Sequence, residues 1–270
     1  SSAVSAETDF ARVPEVSGAN FSLDGRTALV IGGTSGIGRE IALGFQAAGA
    51  RMVVASRDAE KVDASVAQLR QNDARSTGYT IDASNLSEMR RFAEQIWVEQ
   101  GPIDILLNAQ GTTVIKPALD FNEHEYALVM RTNIDGVFWA CTEFGRRMVE
   151  RTSGSIINIG SLSSFRGWPG SSVYAMTKAA VVSLTQSLAA EWAGTGVRVN
   201  AIAPGFFMTP LNEKKMSEAR KALAIARTPM GRFGQLSELV GAAVYLASPA
   251  ADYTTGATIS VDGGFLANGL

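Results

Sequence analysis

From Arg26 onward, short runs of apolar and β-branched residues alternate with longer segments whose apolar positions recur at helical spacing. The short runs are Thr27 to Ile31, Met52 to Ala55, Gly78 to Ile81, Ile103 to Leu107, Ser155 to Ile159, Arg198 to Ile202 and Thr258 to Val261. Most are continuously apolar, as strands covered on both faces should be. Between them the spacing predicts helices over Gly36 to Ala48, Ala59 to Gln71, Ser87 to Gln100, Glu123 to Arg151, Tyr174 to Ala193 and Ser237 to Ala247. This alternation predicts an α/β fold with a doubly wound, seven-stranded parallel sheet and helices on both faces. No linker, repeat or low-complexity tract interrupts it, so residues 21–270 read as one domain. Residues 1–20 have neither the basic start nor the apolar core of a secretory signal and read as a flexible arm.

One stretch breaks the alternation. Phe206 to Arg227 follows Pro204-Gly205, has no strand signal, and mixes Phe206, Phe207, Met208 and Leu211 with charged residues. Excursions of this length in compact domains often cover binding sites, so the segment is read as a lid with Gly205 as a pivot. The balance of 24 basic and 26 acidic residues, a net charge of -2, argues against nucleic acid or an anionic membrane as partner. No run reaches the roughly 18 apolar residues of a membrane span. With a single histidine, His124, flanked by Glu123 and Glu125, and a single cysteine, Cys141, a zinc site and a Ser-His-Asp triad are hard to build and an internal disulfide is excluded. A lone cysteine in an apolar run is a packing residue suited to a reducing, cytoplasmic compartment, and no metal site is expected.

Candidate chemistry begins at the first strand. Leu29-Val30-Ile31 runs into Gly32-Gly33-Thr34-Ser35-Gly36-Ile37-Gly38, a glycine cluster that opens a helix. Glycines there allow a tight turn and close backbone approach to a pyrophosphate, while the helix N-terminus favours negative charge. This is the pattern of a Rossmann-type dinucleotide site. In such sites an acidic residue usually ends the second strand and binds the adenosine ribose; here Ser56-Arg57 stands in that place. A guanidinium there favours a 2′-phosphate, so NADP(H) is the expected cofactor and NAD(H) the alternative.

Tyr174 and Lys178 lie four residues apart, on one helical face. A phenol is a poor base at neutral pH unless a cation stabilises its phenolate, and Lys178 can supply that field. Thirteen residues earlier, Ser161 follows the strand Ser155 to Ile159, at the carboxyl edge where open α/β sheets bind ligands.

In these motifs the chain resembles the short-chain dehydrogenase/reductase family, in its branch of single-domain enzymes of about 250 residues. The match spans Asp24 to Phe265. Gly32, Gly36 and Gly38 resemble the family's cofactor loop, and Asp82 its adenine contact. Asn108-Ala109-Gln110-Gly111 resembles its Asn-Asn-Ala-Gly stretch, matching at Asn108 and Gly111. Asn133 resembles the asparagine that holds a water between the lysine and solvent, and with Ser161, Tyr174 and Lys178 it completes a catalytic tetrad. Pro204-Gly205 and Thr209 resemble the loop that contacts the nicotinamide, and Val261-Asp262-Gly263-Gly264 a C-terminal motif near a subunit interface.

The resemblance implies hydride transfer between a nicotinamide and a carbonyl or secondary alcohol, with Tyr174 moving the proton, Ser161 holding the reacting oxygen and Lys178 tuning the phenol. Gly205-Phe206-Phe207 and Asp262 to Ala267 are similar to gluconate 5-dehydrogenase-like members, which implies a polyol or sugar acid. A cation from Arg166, Lys116 or Arg227 would then meet a carboxylate, whereas Phe206, Phe207 and Trp168 would suit a hydrophobic ketone. A dinucleotide sensor without turnover, or a scaffold without cofactor, are the readings from other classes. The apolar positions Val137, Phe138, Ala140, Val181, Val182 and Leu188 suggest helices shared between subunits of a homotetramer.

Overall fold

A computed structural model of the chain describes residues 18–268. The expected arm over 1–20 lies outside the described residues up to position 17. At its end, the Asn20 carbonyl accepts a hydrogen bond from the Ala250 amide at 3.0 Å.

Seven parallel strands form one sheet in the order β3-β2-β1-β4-β5-β6-β7. They are β1 (Thr27–Ile31), β2 (Arg51–Ser56), β3 (Thr77–Thr80), β4 (Ile105–Asn108), β5 (Gly154–Ile159), β6 (Val197–Pro204) and β7 (Thr258–Val261). Each expected strand is present, shifted by at most three residues at either end. Alternate residues feed two cores. Leu29, Ile31, Val53, Leu106 and Ile156 meet Phe92, Phe144 and Leu188 on one face. Ala28, Val30, Val54, Leu107 and Ile157 meet Ile41, Phe45 and Leu246 on the other. Burial on both faces is why the strand sequences are continuously apolar.

The helices are α1 (Gly36–Ala47), α2 (Ala59–Arg70), α3 (Leu86–Gln100), α4 (Glu123–Met130), α5 (Gly136–Glu150), α6 (Ser172–Trp192), α7 (Pro210–Lys215), α8 (Glu218–Arg227) and α9 (Val240–Ala247). Their starts are chemically marked: Asp58, Asn85 and Asn122 accept from the backbone N–H groups of Lys61, Glu88 and Glu125. The expected single helix from Glu123 to Arg151 is corrected. A π turn over Arg131–Asp135 divides it, where the buried Asn133 side chain is drawn toward the loop after β4. The segment expected as a lid, Phe206 to Arg227, also carries helices, since Thr209 caps α7 ahead of Pro210 and Ser217 caps α8 ahead of Glu218.

Two further expectations are corrected by packing. Gly205 is not placed as a free pivot: its amide donates to the Val261 carbonyl at 2.8 Å. A Cβ there would stand 2.6 Å from the Asp262 Cα, so close approach of β6 to the segment after β7 explains the glycine. Of the six residues expected at a subunit contact, Val137, Ala140, Val181, Val182 and Leu188 are buried within this chain, and only Phe138 is exposed. The apolar surface of the long helices consists instead of Tyr126, Leu128, Phe138 and Met176.

Candidate active site

The chain reverses its direction of travel through the sheet between β1 and β4, and a cleft of about 540 Å³ opens there at the carboxyl ends of the strands. Gly32, Thr34, Ser35, Gly36, Ile37 and Gly38 line one wall; Ser56, Arg57 and Asp82 follow at the ends of β2 and β3. Gly111, Ser161, Tyr174, Lys178, Pro204, Gly205 and Thr209 line the rest.

The glycine turn is built by close approach. A Cβ at Gly32 would lie 2.6 Å from the Gln110 amide nitrogen, and one at Gly38 would lie 2.2 Å from the Gly32 carbonyl oxygen. Gly36 takes φ +51°, and the Ser35 side chain makes no capping bond to α1, so the N-terminal amides of this helix face the cleft without a side-chain acceptor. These features suit a pyrophosphate. Thr34 Oγ1 donates to Ser56 Oγ at 3.1 Å and ties the turn to the end of β2. Beside it, the Asp58 carboxylate is occupied by Lys61 at 2.9 Å, leaving Arg57 exposed with no hydrogen bond or ion pair among the described residues. Asp82 Oδ1 accepts from the amide and hydroxyl of Ser84. Thr209 Oγ1 accepts from the Asn212 amide at 3.1 Å.

Two predicted residues lie behind the cleft. Asn108 is buried between strands: it donates to Asn158 Oδ1 at 2.9 Å and to Cys141 Sγ at 3.3 Å, and Asn158 donates to Thr185 Oγ1. Asn108 and Asn158 are register partners on β4 and β5, so their side chains form a cross-strand ladder rather than a cleft wall. Asn133 is likewise engaged in hydrogen bonds within the chain. Its Oδ1 accepts from the Thr112 amide at 2.8 Å, and its Nδ2 donates to the Thr112 carbonyl and to Thr177 Oγ1, each at 3.0 Å. Asn133 therefore clamps the loop after β4 to α6 beside Lys178. Burial holds the Cys141 thiol up at about 12, as an inert packing thiol requires.

At the reacting end, Lys178 is 4% exposed and its Nζ donates to the Ile159 carbonyl at 2.7 Å. The amine lies 5.7 Å from the Tyr174 ring centre. Burial lowers the Lys178 pKa from 10.5 to about 8. Burial also pushes the Tyr174 phenol up, against a downward pull from the Ser161 hydroxyl. Ser161 Oγ accepts from the Ser163 amide at 3.1 Å, which fixes the hydroxyl at the start of a short 3₁₀ turn.

A second cavity of about 120 Å³ adjoins the first and shares Ser161, Tyr174, Gly205 and Asn212 with it. Trp168, Phe206 and Phe265 form an aromatic wall, with ring centres 5.2–6.2 Å apart. Phe207 turns away from this cavity into the core beneath, where it packs on Gly234. Of the cations expected here, Arg166 lines the cavity. Lys116 does not, because Glu125 pairs with it at 2.6 Å; Arg227 lies over Trp168 outside the lining. Arg220 is the cation that sequence reasoning missed. Ser217-Glu218, a capped helix start with an acidic first turn, is the signal that would have placed Arg220 on a helix.

A dinucleotide cleft at the switch point, with a tyrosine, a lysine and a serine converging where it narrows, defines an NAD(P)-dependent oxidoreductase of CH–OH donors. The chain belongs to the short-chain dehydrogenase/reductase family: residues 32–266 match its family model described as Enoyl-(Acyl carrier protein) reductase. It is 43% identical to galactitol 2-dehydrogenase (L-tagatose-forming) of Cereibacter sphaeroides, over 91% of this chain and 96% of that one. It is 36% identical to gluconate 5-dehydrogenase of Gluconobacter oxydans, over 90% and 96%. The structure of a gluconate 5-dehydrogenase from Burkholderia cenocepacia in complex with NADP and tartrate superposes with a TM-score of 0.89 at 37% identity, covering 93% of this chain and 98% of that chain.

The buried lysine makes stability depend on pH. Below about pH 8 both folded and unfolded chains carry its proton, and the burial cost is present in full. Between about 8 and 10.5 the folded chain releases the proton first, so stability rises with pH. The expected gain of the wild type relative to Lys178→Met across this window is on the order of 3 kcal/mol, read by urea denaturation at stepped pH. Parallel curves for the two proteins would contradict it.

Proposed function

We propose that this chain is an NADP(H)-dependent oxidoreductase that interconverts a secondary alcohol and a carbonyl on a polyol or sugar acid, with Tyr174 as the proton-transfer group. The observation that carries it is the convergence of Tyr174, Lys178 and Ser161 on the cleft whose far end carries the unpaired Arg57. The sugar and sugar-acid dehydrogenases among its relatives support the substrate class.

Gly32 to Gly38 and the α1 N-terminus would hold the pyrophosphate, Arg57 and Ser56 the ribose phosphate, and Asp82 the adenine end. Pro204, Gly205 and Thr209 would bound the nicotinamide end. The bound nicotinamide supplies the hydride chemistry. The Ser163 amide engages one of the two lone pairs of Ser161 Oγ and leaves its hydroxyl proton free to orient the substrate oxygen. Tyr174 gives its proton to that oxygen in reduction and takes it back in oxidation. Lys178, its amine 5.7 Å from the centre of the Tyr174 ring, would place positive charge beside the phenolate as the proton leaves. Both Asn133 side-chain N–H donors are used, so a water beside Lys178 would donate to Asn133, either at the remaining lone pair of Oδ1 or at its main-chain carbonyl in the π turn where the helical ladder is disturbed.

Tyr174→Phe is expected to lower kcat by roughly 100- to 10,000-fold, because it removes the acid-base group and keeps the ring. NADPH binding, followed by cofactor fluorescence, should change less than threefold. A variant retaining a tenth of wild-type kcat would refute the assignment, and a wild type that binds NADPH without turning over any alcohol or carbonyl would favour the sensor reading.

Arg57→Ala is expected to reduce kcat/KM for NADP roughly 10- to 100-fold, as loss of a charge-assisted phosphate contact should, while leaving kcat/KM for NAD within threefold. Equal losses with both cofactors would show that Arg57 serves the fold and not the phosphate.

We also infer a homotetramer in a reducing, cytoplasmic compartment, on the exposed apolar side chains of α4, α5 and α6 and on a buried, unreactive Cys141. Light scattering at micromolar concentration should give four chain masses, and Phe138→Glu should lower the mass. A monomeric wild type would overturn the inference.

A further inference from the structure

The cavity beside Tyr174 is electrically one-sided. Among the described residues its lining includes two guanidinium groups, Arg166 and Arg220, and no Asp or Glu. Neither arginine has an ion-pair partner among the described residues, although acidic side chains neutralise other cations nearby, Glu125 on Lys116 and Glu218 on Lys221. Arg166 is exposed at the mouth, where water screens it. Arg220 is half-buried and held in place: Nη1 donates to the Pro169 carbonyl and Nη2 to Ser171 Oγ, each at 2.8 Å. Its guanidinium carbon lies 5.2 Å from the centre of the Trp168 ring. Burial pulls its pKa down, and no carboxylate among the described residues compensates for the water it has lost.

Those contacts use two of the five N–H donors a guanidinium carries and fix its plane on the indole. The remaining donors are preorganised for an external acceptor. Ser171, the Arg220 partner, precedes Tyr174 by three residues at the start of α6, roughly one helical turn away, or about 5 Å along the axis. An anionic group on Arg220 would therefore lie only a few carbons from an oxygen at Tyr174 and Ser161.

We propose that Arg220 binds the carboxylate of the substrate, with Arg166 attracting it at the mouth, and that the enzyme acts on sugar acids in preference to neutral polyols. This deepens the reading of a polyol or sugar-acid oxidoreductase and rests on it. A neutral polyol could accept from Arg220 through its hydroxyls, but only a carboxylate supplies the missing charge, and a planar guanidinium binds it through paired N–H groups. Trp168, against which Arg220 is held, continues into Phe206 and Phe265 as an aromatic wall that keeps water from the guanidinium, which strengthens the pairing.

The test compares kcat/KM for four- to six-carbon aldonates and the alditols of equal length, with NADP, in the wild type, Arg220→Gln and Arg220→Lys. The wild type should favour an aldonate over its matched alditol by at least tenfold. Arg220→Gln should lose roughly 10- to 100-fold on the aldonate and less than threefold on the alditol, with Arg220→Lys recovering part of the loss. Because Arg220 also ties α8 to the loop before α6, a merely structural role would lower both substrates together and leave their ratio unchanged; that outcome overturns the proposal. A wild-type preference for alditols overturns it while leaving the broader reading intact. Turnover of neither class overturns both.

Discussion

The ammonium of Lys178 is almost wholly removed from water with no carboxylate beside it among the described residues, and the architecture around the cleft serves to hold it there. Such a charge is costly, and its main compensation is a hydrogen bond to the Ile159 carbonyl at the very end of β5. That acceptor exists because a parallel sheet leaves its last carbonyls unpaired at the carboxyl edge. The neighbouring contacts remove freedom from the lysine's surroundings. Ser164 Oγ donates to the Lys178 carbonyl at 2.7 Å, and Asn133 joins Thr177 to the loop after β4. Gly111 stands where a Cβ would lie only 3.6 Å from the Lys178 nitrogen, so the smallest residue leaves the space above the amine free. Sheet edge, π turn and 3₁₀ turn thus converge on one buried cation, and the phenol that depends on it lies one helical turn away.

The fold was legible because its information is local. Strands buried on both faces must be apolar throughout, and the helix starts carry Asp58, Asn85 and Asn122 as visible caps. The residues lining the cleft were also legible, because the glycine turn and the Tyr174–Lys178 spacing are fixed by backbone geometry that tolerates few alternatives. The illegible features depend on partners far away in the chain. Asn108 carries a motif position, yet the register of β4 on β5 sends its side chain to Asn158, 50 residues on. Gly205 looks like a hinge until Asp262 is seen against it. Lys116 looks available until Glu125 claims it, and Arg220 gains its meaning from Pro169 and Ser171 across the cavity. Burial of Val181 and Leu188 within the chain, where a shared face was expected, has the same origin: an apolar helix says how much it buries, not against what.

The distribution of charge joins these observations to function. The whole chain carries a net charge of only -2, so it has no general field for anions. Its cations are instead placed singly along two adjoining cavities: Arg57 at the end of β2, Lys178 on α6, and Arg220 on α8. Each is separated from acidic side chains by a specific local device. Asp58 is turned to Lys61 and to its own helix cap, Lys178 lies behind the serine turn, and Arg220 is stacked on Trp168. A positive charge that has lost water without gaining a partner, as at Lys178 and in part at Arg220, destabilises a fold, whereas the exposed Arg57 stays hydrated. Three cations without acidic partners among the described residues, with the Tyr174 phenol beside the middle one, suit a groove whose occupants bring negative charge. The outer two positions want permanent anions; the middle one wants a negative charge that appears on the phenol only while the proton is away.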